Sequence, residues 1–173
     1  MKLTYVIGYP ASGKSTTVKE ALPGPVEEVD VPVPYIRYEK GIQLGKNREG
    51  FPGTDGYPYN ITTKVKKFLA ETDIENIVAE GDRLNNTRFF RHCVSLGYTL
   101  DIIYLFVSPA VAHRRAFHRR SKQGAVWVIS RQTKVQNIAV KMRKYVTVVN
   151  GDRDIQDVVA DVKQIGAFRE ING

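Results

Sequence analysis

Eight consecutive residues carry the clearest chemistry in the chain. Gly8-Tyr9-Pro10-Ala11-Ser12-Gly13-Lys14-Ser15 fits the spacing G-x-x-x-x-G-K-[ST] at every position. Gly8 and Gly13 let the backbone wrap closely around phosphate oxygens, in φ/ψ regions that other residues avoid. The successive N–H groups, those of Ala11, Ser12 and Gly13 among them, form an anion-binding nest, and the helix that follows points its positive end at the same phosphates. Lys14 is placed to reach the β- and γ-phosphates of ATP, and Ser15 to offer its hydroxyl to Mg²⁺. Thr16 and Thr17 are expected to satisfy the first turn of that helix.

Two acidic clusters are candidates for the remaining work. Glu80-Gly81-Asp82-Arg83 follows the apolar run Ile77-Val78-Ala79, so its carboxylates stand just beyond a buried strand, at the sheet edge where doubly wound folds bind ligands. Glu80 is the expected Mg²⁺ ligand. Asp82 either shares that role, binds the acceptor, or pairs with Arg83 at the cap of the next helix. Asp55, in Gly53-Thr54-Asp55-Gly56, is the candidate base that takes the proton of an acceptor hydroxyl, although the same four residues make an ordinary turn. The division of labour among Asp55, Glu80 and Asp82 stays open.

The chain lacks an Asn-Lys-x-Asp motif for reading guanine, and at 173 residues it is smaller than most motor ATPases and helicases. These features point to a small ATP-dependent kinase. Between Ile102 and Gly151 there are ten basic residues and no Asp or Glu. A segment from about 114 to 131 within it reads as a lid that closes over ATP and delivers arginines to the transferring phosphoryl group. Arg119, Arg120 and Arg131 are the expected lid arginines, Arg119 and Arg120 as ATP contacts and Arg131 as a catalytic group. The turn Asn150-Gly151-Asp152 is expected to meet the nucleotide base through its backbone.

These groups need a scaffold, and the pattern of apolar runs alternating with helical periodicity predicts one: a doubly wound α/β domain with a five-stranded parallel sheet. Strands are expected at 3–7, 26–31, 76–79, 100–107 and 145–149, and helices at 14–21, 60–71, 86–95, 109–120, 128–144 and 155–165. Residues 32–59, rich in Gly, Pro and Tyr, read as a long functional loop. No repeat, low-complexity tract or linker interrupts the chain, which reads as a single domain over 1–173.

The hydrophobic fraction of 42% and charged fraction of 25% belong to a globular protein. No apolar run is long enough for a membrane helix, and the run from Leu3 to Ile7 is too short for a signal peptide and reads as the first strand. Cys93 is the only cysteine, which excludes an intramolecular disulfide or a cysteine zinc site and suggests a buried thiol in a reducing cytoplasm. His92, His113 and His118 have no metal-ligand spacing. The net charge of +8 favours polyanionic partners, and no stable protein partner is inferred.

Four segments together resemble the phage-type P-loop kinases that act on 5-hydroxymethyluracil in DNA, the 5-hydroxymethyluridine DNA kinases. They are Gly8 to Ser15; Leu44 to Arg48 leading into Phe51-Pro52-Gly53-Thr54-Asp55; Ala79 to Leu84; and Trp127-Val128 with Arg131, Thr133, Lys134, Val135 and Asn137. The resemblance implies that ATP and Mg²⁺ serve to phosphorylate the hydroxymethyl group of a pyrimidine already within DNA, making it a leaving group for further modification inside an infected bacterial cell. It makes Arg48, Asp55, Tyr57, Asp82 and Arg83 substrate contacts, and the basic block a DNA-binding surface. Tyr35, Tyr38, Phe51, Tyr57 and Tyr59 become candidates for stacking on a flipped base. The run Gly56-Tyr57-Pro58-Tyr59-Asn60 is bulkier than in similar proteins, which bears on the acceptor and leaves the ATP site untouched. The competing readings are a kinase of a free nucleoside, nucleotide or sugar acid, a kinase of polynucleotide ends, and a non-catalytic nucleotide-binding module.

Overall fold

The computed structural model describes residues 1–118 and 124–173. Nine strands and seven α-helices follow in chain order: β1 (Lys2–Gly8), α1 (Lys14–Ala21), β2 (Glu27–Val29), β3 (Tyr35–Tyr38), β4 (Gly41–Leu44), β5 (Lys46–Asn47), β6 (Pro52–Gly53), α2 (Thr62–Glu71), β7 (Asn76–Glu80), α3 (Thr87–Ser95), β8 (Thr99–Phe106), α4 (Pro109–His118), α5 (Ala125–Lys141), β9 (Val146–Asn150), α6 (Ile155–Lys163) and α7 (Gly166–Asn172). Seven strands form one sheet in the order β2-β3-β4-β7-β1-β8-β9, and β5 pairs with β6 alone.

Five neighbouring strands, β4, β7, β1, β8 and β9, run parallel. The expected parallel sheet is therefore present, with one member exchanged. The strand expected at 26–31 is the three-residue β2, which pairs antiparallel with β3 at the sheet edge, and β3 pairs antiparallel with β4. The fifth parallel strand is β4, inside the stretch read as loop. All four of its residues are buried, so it shows neither the alternation nor the length that would mark it in a sequence. The helix expected at 155–165 is α6, and a further helix, α7, closes the chain.

Covered on both faces, β1 is buried from Leu3 to Gly8. One core layer, with Tyr5, Phe68, Phe89, Phe90 and Ile138, joins the sheet to α2, α3 and α5. The other, with Val18, Val158, Val162 and Phe168, joins it to α1, α6 and α7. Cys93 lies in the first layer, and burial pushes its thiol up to about 12, which makes it an inert apolar group as expected. Tyr5 is fully buried, yet its hydroxyl donates to Gly81 O at 2.8 Å and lies 3.1 Å from Thr54 Oγ1. A core residue of the central strand thus pins both acidic segments. Among the described residues, no helix is long and apolar enough to cross a membrane.

Candidate active site

The loop between β1 and α1 folds as its spacing predicts. Ser12 N–H donates to Tyr9 O at 3.0 Å, Ala11 takes φ 63°, and Gly13, at the helix N-cap, takes φ 94°. A Cβ on Gly8 would come within 2.7 Å of Leu105 O on the neighbouring strand, so only glycine fits there. The first turn of α1 has no acidic residue to neutralise its positive end. Lys14 Nζ lies across the loop, donating to Gly8 O and Tyr9 O at 3.0 Å each, with Ser12 Oγ at 3.5 Å. Those carbonyls hold the ammonium against the phosphate loop itself. Thr16 is exposed. Thr17 is buried, and its hydroxyl makes no hydrogen bond. The expectation that Thr17 satisfies the first turn therefore fails, because the side chain packs toward the core.

Glu80 ends β7 and is 1% exposed, and neither carboxylate oxygen has a hydrogen bond of normal geometry. Burial pushes its carboxyl up to about 7; Lys14 and the Ser15 hydroxyl draw it back down, and Asp55 adds to the rise. A buried carboxylate whose one hydroxyl neighbour is Ser15 is an incomplete oxygen set for a hard cation. Glu80 and Ser15 are therefore a donor set that fits Mg²⁺.

Asp55 and Asp82 meet across the tertiary fold. Asp55 Oδ1 accepts the Asp82 N–H at 2.6 Å. The approach depends on Gly81, whose φ is 108° and whose added Cβ would lie 2.7 Å from Thr54 Oγ1 and 3.0 Å from Asp55 N. The Asp82 side chain is held by two cations of α5, Arg131 Nη1 at 2.6 Å and Lys134 Nζ at 2.7 Å. Asp82 therefore pairs with α5 and not with Arg83. The cap of α3 belongs instead to Asn86, whose Oδ1 accepts Phe89 N–H at 2.9 Å. Arg83 Nε donates to Tyr57 O at 3.1 Å, and its guanidinium stacks 3.9 Å from the centroid of the Tyr59 ring, which is 89% exposed.

Of the five loop aromatics, Tyr35, Tyr38 and Tyr57 are buried. Tyr57 donates to Pro34 O at 2.5 Å and accepts Gly45 N–H at 2.9 Å. Burial pushes its phenol well up. Tyr57 is thus a pillar of the loop region and offers no ring to a substrate, which corrects that expectation. Tyr59 and Phe51 remain exposed. Arg48 is exposed between β5 and β6. Arg131 joins the Asp55–Asp82 cluster and also stacks on Trp127 at 5.3 Å. The expected lid arginines Arg119 and Arg120 lie outside the described residues.

The contacts of two residues escape a reading of spacing alone. Arg115, on α4, donates from Nη1 to Ser12 O at 3.0 Å and from Nη2 to Gly151 O at 2.9 Å. It ties the phosphate loop to the turn after β9. Gln136, on α5, donates to the Tyr9 hydroxyl at 2.6 Å. The only sequence signal for Arg115 is its place in the basic run, where nothing separates it from its neighbours.

A phosphate loop on a parallel sheet, with a buried acid at the end of the adjacent strand, defines a P-loop nucleotide-binding protein. The chain belongs to the P-loop nucleotide kinases: the family model described as P-loop Nucleotide Kinase3 matches residues 1–166. No curated protein matches it. Among solved structures it is similar to deoxyadenosine kinase from M. mycoides with products dCMP and a flexible dCDP bound, at 14% identity and TM-score 0.52, covering 94% of this chain and 97% of that one. The same enzyme with bound dCTP matches at 16% identity, with the same TM-score and coverage. At these identities the likeness is one of fold.

Proposed function

We propose that the protein transfers the γ-phosphoryl group of ATP to the hydroxymethyl group of 5-hydroxymethyluracil in DNA. The observation that carries the reading is the convergence of the segments on which the resemblance rests. They are far apart in sequence, yet Asp55 binds the Asp82 backbone, Arg131 and Lys134 bind the Asp82 side chain, and Arg83 binds Tyr57 O. All of this lies on the carboxyl side of β7, beside the phosphate loop.

In the reaction, the loop N–H groups and α1 cradle the donor phosphates, and Lys14 exchanges the carbonyls of Gly8 and Tyr9 for phosphate oxygens. Ser15 and Glu80 would hold Mg²⁺, which supplies charge neutralisation at the β- and γ-oxygens. The acceptor oxygen bonds to the γ-phosphorus as the bond from phosphorus to the β–γ bridging oxygen breaks, and ADP leaves. Asp55, with Oδ1 fixed by the Asp82 N–H, offers Oδ2 to the acceptor proton. Arg131 stands on Asp82 with its guanidinium ready for the charge of the phosphoryl group in flight. The exposed Tyr59 ring, backed by Arg83, is a stacking surface for an unpaired base.

A second reading, phosphorylation of a free deoxynucleoside, is favoured by the fold shared with deoxyadenosine kinase. The deciding test supplies [γ-³²P]ATP with DNA containing 5-hydroxymethyluracil, unmodified DNA, free 5-hydroxymethyldeoxyuridine and deoxyadenosine in parallel. Label on the modified DNA alone is expected. Label confined to either nucleoside would replace this reading with the second one.

A further inference from the structure

Between α3 and α5, on the face of the sheet that carries the Asp55–Asp82 cluster, lies a cleft of about 390 Å³. Its walls include Asn86 and Thr87 at the N-terminus of α3, and Thr133, Lys134, Asn137 and Lys141 along α5. Lys134 marks its inner end, because the same ammonium holds Asp82. Lys141 marks the outer end, seven residues on, which is about 10 Å along a helix and the axial span of roughly three phosphates of one duplex strand.

Neither helix contains a carboxylate. One turn beyond Thr87, the same face of α3 carries Arg91, with Arg88 beside it; both are exposed. Among the described residues, Lys141, Arg88 and Arg91 have no ion-pair partner. Hydroxyl, amide, ammonium and a helix N-terminus are the groups proteins use to hold phosphodiester oxygens without reading bases. A pocket for a single small acceptor has no use for a cationic track leading away from its reacting atoms.

We propose that this cleft is a track for the sugar-phosphate backbone of the strand that carries the acceptor base, running outward from Asp82 along α5 to Lys141. The inference rests on the DNA-kinase reading and names the surface through which the polymer is held. Backbone contacts along the track position the strand, and the base presented at Asp55 supplies the chemistry.

The test uses a fluorescent duplex without hydroxymethyluracil, so that binding is measured apart from catalysis. Its affinity is followed by anisotropy from 50 to 200 mM salt for the wild-type protein, for the double variant Lys141→Gln/Arg91→Gln, and for Lys19→Gln/Lys163→Gln. The last pair removes the same charge from α1 and α6, on the opposite face of the sheet. The track predicts a log–log salt slope shallower by about 1.8 for the first variant, at unchanged ATP affinity, and no change of slope for the control. Equal slopes in all three proteins, or equal reductions in both variants, would overturn it. So would saturation of the cleft by inorganic phosphate with the same dependence on Lys141 and Arg91, since that marks a simple anion pocket. A slope that falls as predicted in a protein that fails to label modified DNA would keep the track and remove the base-kinase reading; labelled DNA with unaltered slopes would do the reverse.

Discussion

At the scale of single residues, Glu80 is a carboxyl that burial holds far from its ordinary range. Its folded pKa of about 7 lies above the ordinary 4.5 because burial penalises the charge. Between those values the folded state binds more protons than the unfolded one, so stability is greatest at low pH and falls as pH rises through that window. Above pH 7 the whole penalty, a few kcal/mol at most, is present. Glu80→Gln should therefore reduce the fall of thermal stability between pH 4.5 and 7.5 without nucleotide, raise stability at pH 8, and abolish turnover. Melting curves across pH check the first part; a Gln variant with the wild-type slope would place the strain elsewhere. Lys14 and Asp55 separate by which half of the reaction they serve. Asp55→Asn keeps an Oδ1 to accept the Asp82 N–H, so the local fold survives. It should lose transfer by about 10²–10⁴-fold with ATP affinity within about twofold of wild type. Lys14→Ala should lose both, in rapid-quench and nucleotide-titration measurements. Equal losses of transfer and ATP affinity in Asp55→Asn would remove Asp55 as the base.

Elements position these residues, and their junctions are where substitutions should be felt. Gly81 lets β7 end with its backbone against Thr54 and Asp55. Gly81→Ala combines a left-handed φ with a 2.7 Å clash, so it should destabilise the fold by about 1–3 kcal/mol and lower turnover by more than unfolding explains. Asn86→Ala removes one side-chain cap from α3 and should cost about 1 kcal/mol with ATP affinity retained; urea denaturation beside nucleotide titration distinguishes the two. The same junctions explain what could be read in advance. The phosphate loop is contiguous, and its spacing is its geometry, so Gly8 to Ser15 was legible. Glu80 was legible because an acid following Ile77-Val78-Ala79 must stand at a strand end. Tyr57 and Arg115 were not, because their roles depend on Pro34, Gly45, Ser12 and Gly151, which only the tertiary fold brings near. Strand β4 escaped for a related reason: four buried residues among Gly, Pro and Tyr carry no periodicity, and only pairing with β7 makes them a strand.

Over the whole molecule, charge is sorted by surface. Among the described residues, acids fall at the sheet edge and on α1, α2, α6 and α7, whereas α3, α4 and α5 have none. A kinase of free nucleosides needs cations only where phosphates react; one that holds a polymer needs them outside the reacting centre as well. Salt separates the cases. If Lys141, Arg88 and Arg91 each meet a phosphate, the slope of log affinity against log salt gains about −2.7, and raising salt from 50 to 200 mM weakens DNA binding by about 40-fold. Exposed charges that face no bound polymer are merely screened, and an uncharged nucleoside feels little of that. The rise in KM for DNA should therefore be steep where that for a free nucleoside is nearly flat, with the KM for ATP common to both reactions as the internal reference. Parallel salt dependences for the two acceptors would mean that the basic faces of α3 and α5 meet no acceptor at all, and that the sorting of charge serves some end other than catalysis on a strand.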